Sequence, residues 1–121
     1  MNNVLEIDDT NMIAMKLLHY FITEKNYTPI VLNGVDDEIW LENLDEDCEI
    51  IRIVIGHIHN EEQYKFDVFK TNRIIKKIKA KTFSFRLNVL SIFLNLGSSV
   101  DLTKELPKRG RAVHITDEKD V

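Results

Sequence analysis

Residues 50–55 read Ile-Ile-Arg-Ile-Val-Ile, and this run decides the fold. A short, nearly continuous stretch of β-branched apolar residues is typical of a strand at the centre of a sheet, where both faces are covered. Only Arg52 interrupts the run. We therefore expect residues 50–55 to be the central strand, with the other elements arranged around it.

The chain before this strand predicts a helix followed by a hairpin. Apolar residues between Ile13 and Ile22 recur at helical spacing, which predicts a helix over 11–25. Residues 27–32 are rich in strand formers, and Asn33-Gly34 supplies the positive φ angles of a tight turn before a second strand at 38–42. The strand at 50–55 then follows a polar loop as the third.

The chain after the central strand predicts a long helix and a fourth strand. Asn60 can cap a helix that reaches Lys81, with Gln63 in the capping-box position. Alternating residues over 85–91 predict the fourth strand, which ends near Gly97. Beyond it the pattern weakens to three short segments, namely a helix at 100–106, a basic loop at 108–111 and a strand at 112–116.

This order predicts an α+β fold with α/β/α-like layers: a helix, a three-stranded antiparallel meander, a crossover helix and a strand. We expect residues 1–100 to form one core domain and 101–121 a C-terminal extension, cut from a longer chain. The order resembles a degenerate restriction-endonuclease-like core. Active members of that fold carry an Asp on the second strand and Glu-x-Lys on the third.

The residues that this resemblance requires are only partly present. One of Asp36, Asp37 and Glu38 occupies the place of the second-strand acid, but the third strand contains no Glu-x-Lys. Cleavage of a phosphodiester needs closely set carboxylates and a positioned cation. We therefore predict no catalytic residues in this chain, and we expect these acids to form a solvated edge of the hairpin.

Composition limits the remaining functional classes. The chain has 121 residues, 44% of them hydrophobic and 30% charged, which suits one folded domain. The single cysteine, Cys48, excludes an internal disulfide and favours a reducing compartment. No signal peptide, membrane span or phosphate-binding glycine loop is evident, and the net charge of −4 argues against general adhesion to nucleic acid.

One cluster has the residue types of a metal site. His57 and His59 are two residues apart in an extended segment, so their side chains point to the same side, and Glu61 follows them. Imidazole and carboxylate ligands suit Zn²⁺, Mn²⁺ or Mg²⁺, so these three residues are the predicted ligands of a divalent cation. The alternative is that they only solvate the strand-to-helix turn and cap the helix.

Basic residues crowd the end of the second helix. Residues 61–81 hold three acids and seven bases. Such a patch predicts contact with an anionic inner membrane leaflet or with a partner, and the alternative is an arrangement that only follows the helix dipole. We expect no aromatic stacking platform beside the bases. The residues predicted for this surface are Arg73, Lys76, Lys77, Lys79 and Lys81.

A family resemblance combines these features. The segment Asp37-Glu38-Ile39-Trp40-Leu41-Glu42, then Ile51-Arg52-Ile53, the charged helix and Leu87-Asn88-Val89 resemble the N-terminal cytosolic region of Firmicutes rhomboid-family intramembrane serine proteases. The resemblance covers roughly residues 10–115 by element order. It implies a non-catalytic accessory domain at the cytoplasmic face of a cell membrane, one that senses divalent cations or recruits substrates.

The same resemblance implies partners. They are the membrane core of the same polypeptide, which carries the protease's serine and histidine, and membrane-protein substrates. The alternative function is a nuclease-derived module that binds nucleic acid independently of any membrane. The acidic net charge makes nucleic acid the less favoured partner.

Overall fold

The computed structural model describes residues 9–84, 86–102 and 110–115. These residues form two helices, α1 (Asp9–Thr23) and α2 (Glu61–Thr82), and five strands, β1 (Thr28–Pro29), β2 (Glu38–Glu42), β3 (Ile50–Val54), β4 (Val89–Phe93) and β5 (Gly110–His114). The predicted α+β class is therefore confirmed.

The five strands make one mixed sheet in the order β1-β2-β3-β4-β5. β1 pairs with β2 and β2 with β3 in antiparallel fashion, while β3 pairs with β4 and β4 with β5 in parallel fashion. The meander and the crossover through α2 are as the sequence predicts. β3 lies in the middle of the sheet, and all five of its residues are buried.

Alternate residues of β3 point to opposite faces of the sheet, and each face is covered by one helix. Ile51 and Ile53 belong to a core that includes Ile13 and Leu17 of α1. On the other face, Ile50 packs in a core with residues of α2. The sheet is thus the middle of three layers, which explains why β3 is apolar on both sides.

The start of α2 follows from its cap. The Asn60 side chain accepts a hydrogen bond from the Gln63 amide at 2.9 Å, and the Gln63 side chain accepts one from the His59 amide at 2.6 Å. These reciprocal bonds satisfy amides that a helix N-terminus leaves unpaired. The predicted cap and helix are therefore confirmed, and α2 extends one residue past Lys81.

The first strand is shorter than the predicted 27–32. Tyr27 does not join the sheet because its amide donates to the Phe21 carbonyl of α1 at 2.9 Å, and its buried side chain donates a hydrogen bond to the Cys48 carbonyl at 2.5 Å. After Ile30, which still donates to Trp40, the chain moves away from β2, and Val31 is 88% exposed. The turn at Gly34, with φ at 74°, therefore closes a wider loop than the tight hairpin predicted.

The later strands are displaced along the sequence. β4 begins four residues after the predicted start at 85, because Leu87 is buried in the α2 core before strand pairing begins. β5 begins two residues before the predicted start at 112. Residues 103–109 lie outside the described residues, so most of the predicted helix at 100–106 and the basic Lys108 and Arg109 are not part of this description.

Candidate functional site

The outward side of α2 carries exposed aromatic residues. Phe66 is 69% exposed and Phe69 is 60% exposed. At about 100° per residue, both rings project from the side of the helix opposite its buried stripe. That stripe faces the sheet and consists of Tyr64, Asp67, Val68, Thr71, Ile74, Ile75 and Ile78. The two rings therefore add little to the core of the domain.

Basic side chains surround the two rings. The guanidinium of Arg73 lies 5.9 Å from the centre of the Phe69 ring, within the range of a cation–π contact. The helical spacing places lysines on both flanks, with Lys65 and Lys76 on one and Lys70 and Lys77 on the other. Exposed aromatic rings thus lie beside the bases, where the sequence predicts no aromatic stacking platform. We call this surface the basic aromatic face of α2: Lys65, Phe66, Phe69, Arg73, Lys76 and Lys77.

A groove runs beside this face, between α2 and the loop from β1 to β2. Residues 33–35 form its loop side, and its helix side includes Phe66, Lys70, Arg73 and Lys77. Its volume is about 270 Å³. The groove continues toward the end of α2 as a second depression of about 290 Å³, which is lined by the apolar residues 30–32 and by Lys81. We call the first of these the loop groove.

The five predicted surface bases are divided between two sides of α2. Arg73 and Lys77 line the loop groove, and Lys81 lines its continuation. Lys76 and Lys79 line a separate depression with Asn72 and Ile75. The sequence therefore locates the basic helix correctly, but it does not separate the groove residues from the others.

The C-terminal end of α2 exposes a further ring. Phe83 follows the helix in the left-handed conformation, with φ at 57°, and is 91% exposed. This position usually holds glycine, since a side chain is strained there. Phe83 lines a shallow depression with Lys79 and Ala80, so another exposed aromatic residue lies beside a base.

A network of charges is buried beneath α2. Arg52 of β3 is fully buried and bonds both oxygens of Asp67 on α2, at 2.9 and 2.6 Å. It also donates to Glu38 of β2 at 2.8 Å and to Ser91 of β4 at 3.0 Å. Four elements are thereby joined through one guanidinium. We call Glu38, Arg52, Asp67 and Lys70 the buried charge network.

The electrostatics of this network favour a structural role. Burial alone lowers the pKa of Arg52, but the hydrogen bonds and charges of Asp67 and Glu38 outweigh burial and raise the pKa. Lys70 reaches Glu38 from the rim of the loop groove and lies 3.7 Å from Asp67. Two acids and two bases therefore neutralise one another, as buried charges require.

The network also changes the interpretation of the acid on the second strand. Glu38 was expected at a solvated edge, but only 3% of its side chain is exposed. One carboxylate oxygen accepts from Arg52 and Trp40, and the other accepts from Lys70. Both oxygens of Glu38 are thus bonded to cations or an indole. Trp40 itself lies in the core beneath α2.

The predicted metal ligands are only partly brought together. The His57 and His59 rings lie 3.6 Å apart, centre to centre. Glu61 is engaged elsewhere, because its carboxylate accepts the Asp101 amide at 2.7 Å. Within 9–84, 86–102 and 110–115, no three His, Cys, Asp or Glu side chains are arranged to hold a metal ion. The structure therefore does not assemble the predicted three-ligand site.

The turn that carries these histidines is packed closely against a neighbouring segment. The Gly97 amide donates to the Ile58 carbonyl at 2.7 Å, and Ile58 forms an isolated bridge with Leu96. A Cβ at Gly97 would lie 2.3 Å from the carbonyl oxygen of His59. Glycine is required at 97 because the two backbones approach so closely.

Comparison with models of protein families finds no match, and comparison with curated proteins finds none. The helices in the described parts of the chain are too short or too polar to cross a bilayer. The basic aromatic face of α2, with its loop groove, is a feature of the described surface that the packing of the domain does not explain.

Proposed function

We propose that this chain is a non-catalytic docking domain that binds an anionic membrane surface through the basic aromatic face of α2. One observation carries the proposal: Phe66 and Phe69 are exposed on the outermost line of a helix whose flanks are basic. Large apolar rings cost free energy when they stay in water, and nothing in the core uses them.

The combination of rings and bases suits the interface of a bilayer. A helix that lies in that interface places aromatic residues among the acyl chains and lysines beside the headgroups. Burying a Phe contributes about 1.5–3 kcal/mol, and each base near an anionic surface contributes about 1 kcal/mol. These terms give weak, reversible binding, which suits a domain held near the membrane by another segment.

The resemblance to rhomboid-family proteases supplies such a context. In this proposal the domain lies at the cytoplasmic face, next to a membrane core of the same polypeptide. Docking through α2 would hold it against the inner leaflet, where it would recruit membrane-protein substrates. The net acidic charge of the chain and the basic excess of 61–81 favour approach with α2 toward the anionic surface.

Vesicle sedimentation tests the proposal. Phosphatidylcholine vesicles with an increasing fraction of phosphatidylglycerol are mixed with the wild type and with Phe66→Ser/Phe69→Ser. The double variant is expected to lose at least tenfold in affinity, because even partial burial of the two rings contributes more than the ~1.4 kcal/mol that corresponds to a tenfold change. Both residues are exposed, so the fold should be unaffected.

The matched control lies on the other side of the sheet. Met15 and Tyr20 of α1 are 64% and 40% exposed, and Met15→Ser/Tyr20→Ser should bind vesicles as the wild type does. An equal loss in both double variants would contradict docking through α2. The wild type could instead fail to bind vesicles and bind a single-stranded oligonucleotide tightly. If that binding required Phe66, the result would support the nucleic-acid alternative.

A further inference from the structure

The geometry of the loop groove points to a specific ligand. We infer that the groove between residues 33–35 and α2 binds the phosphate group of an anionic phospholipid headgroup. This inference rests on the proposed membrane docking and names the ligand of the same surface. General attraction to a charged membrane needs no groove, so a headgroup site is a separate and stronger claim.

The groove presents three cationic side chains to one place. Lys70, Arg73 and Lys77 are spaced at i, i+3 and i+7, so they lie along one side of α2, and all three line the groove. Residues 33–35 form the facing wall, with Gly34 at φ 74°, and no atom beyond its chain neighbours lies within 4 Å of where its Cβ would be. The backbone of that wall is therefore open to a ligand.

The charges in the groove match one phosphate. Lys70 is held by Glu38 and Asp67, so its charge is already compensated. Within the described part of the chain, Arg73 and Lys77 form no salt bridge. Two uncompensated cations suit a phosphate oxyanion, and a guanidinium can bind two of its oxygens at once.

The size and surroundings of the groove favour a lipid headgroup. Its volume of about 270 Å³ lies just below the range of ~300–1,000 Å³ that is usual for drug-sized ligands. Phe66 and Phe69 line the same groove, so a phosphate bound there would place the glycerol and acyl chains beside the exposed rings. A free phosphate would leave those rings in water.

Charge-matched variants test the inference. Arg73→Ala/Lys77→Ala removes two charges inside the groove, and Lys65→Ala/Lys76→Ala removes two from the same helix outside it. Binding is measured by sedimentation with phosphatidylcholine vesicles that contain phosphatidylglycerol. The groove variant is expected to lose about tenfold more affinity than the control, since a charge-assisted bond to phosphate is lost as well as charge.

The outcomes separate the two proposals. Equal losses in the two variants would overturn the headgroup site and leave membrane docking intact. Vesicle binding that survives in both variants would overturn both proposals. A titration with dissolved glycerol 1-phosphate, followed by the NMR shift of the Gly34 amide, identifies the source of the phosphate. If these shifts saturate at glycerol 1-phosphate concentrations equal to the phosphate concentration of the vesicles, the assignment to a lipid would be overturned.

Discussion

Arg52 is the residue on which the packing of the sheet against α2 most depends. An arginine in a central strand is costly to bury, because its charge loses its hydration. Here four hydrogen bonds to Glu38, Asp67 and Ser91 replace the water. The guanidinium carbon also lies 5.3 Å from the centre of the Phe93 ring, within cation–π range. The interruption in the apolar run is thus the point where β3 is joined to α2.

Replacing Arg52 should destabilise the domain strongly. In Arg52→Met, Glu38 and Asp67 remain buried, and the partly exposed Lys70 is the one cation of the network left to them. The loss of one partner of a buried ion pair costs about 3–5 kcal/mol, a large part of the ~5–15 kcal/mol that stabilises a domain. Urea unfolding followed by circular dichroism measures the change.

Two variants keep this prediction testable if Arg52→Met does not fold. Arg52→Lys retains the charge without the two-pronged bond to Asp67, and should lose less. Arg86→Met changes an exposed arginine and should alter stability by less than about 0.5 kcal/mol. If Arg52→Met were as stable as Arg86→Met, the buried charge network would not hold the layers together.

At the scale of elements, the two ends of α2 are capped differently. Asn60 and Gln63 cap the N-terminus, whereas Phe83 adopts a left-handed conformation that favours glycine. Strain that persists at an exposed residue suggests a functional reason, and an aromatic ring beside the basic face fits membrane docking. The sequence at this end of the helix is therefore not the one that stability alone would choose.

Phe83→Gly should make the domain more stable and weaken its docking to the membrane. Relief of the left-handed strain should raise the free energy of unfolding by about 1 kcal/mol. The same change should weaken binding to anionic vesicles, because one exposed ring is lost. Urea unfolding and vesicle sedimentation on one preparation measure both effects. Lys81→Gly, inside the last turn, should instead destabilise the helix by about 1 kcal/mol. A less stable Phe83→Gly would show that the ring packs against the domain.

The sequence predicts the elements whose pattern is local. β3 follows from its apolar run, and the start of α2 follows from its capping residues. β1 begins one residue later than its strand formers suggest, where the Tyr27 hydroxyl bonds the Cys48 carbonyl 21 residues away. A contact of that separation overrides local propensity and leaves no periodic signal in the sequence.

The candidate site is predictable only in part. Helical spacing places Phe66 and Phe69 away from Val68 and Ile75, so a helical projection could have found the exposed rings. The loop groove depends on how residues 33–35 approach α2, and the buried charge network joins residues that lie far apart in the sequence. The spacing of residues within a single helix or strand therefore predicts neither the loop groove nor the buried charge network.

Across the whole molecule, positive charge is concentrated in the layer that α2 forms. Residues 61–81 contain seven bases and three acids, although the entire chain carries a net charge of −4. One of those acids, Asp67, is buried, so the outer surface of α2 is more basic still. In the proposed orientation α2 faces the lipid and α1, on the opposite face of the sheet, faces away from it.

Stability in alkali is also a property of the whole domain, and Tyr27 connects several of its parts. The Tyr27 ring packs edge-on against Phe21 of α1, and its hydroxyl bonds the Cys48 carbonyl in the loop between β2 and β3. Burial, followed by the nearby charges of Glu46, Glu49 and Asp47, raises the pKa of Tyr27 to about 12. Ionisation of this hydroxyl would break its bond and place a charge inside the α1 core.

The raised pKa predicts how stability should change with pH. An unfolded tyrosine ionises near pH 10, so the native state holds this proton more tightly. The stabilising contribution is complete below about pH 10 and is lost as pH rises toward 12. The wild type should therefore lose stability more steeply than Tyr27→Phe over this range, as urea unfolding at successive pH values will measure. Tyr20→Phe, which alters an exposed ring, should follow the wild type. Parallel profiles for the wild type and Tyr27→Phe would contradict the prediction, because the Tyr27 proton would then be held no more tightly in the folded domain.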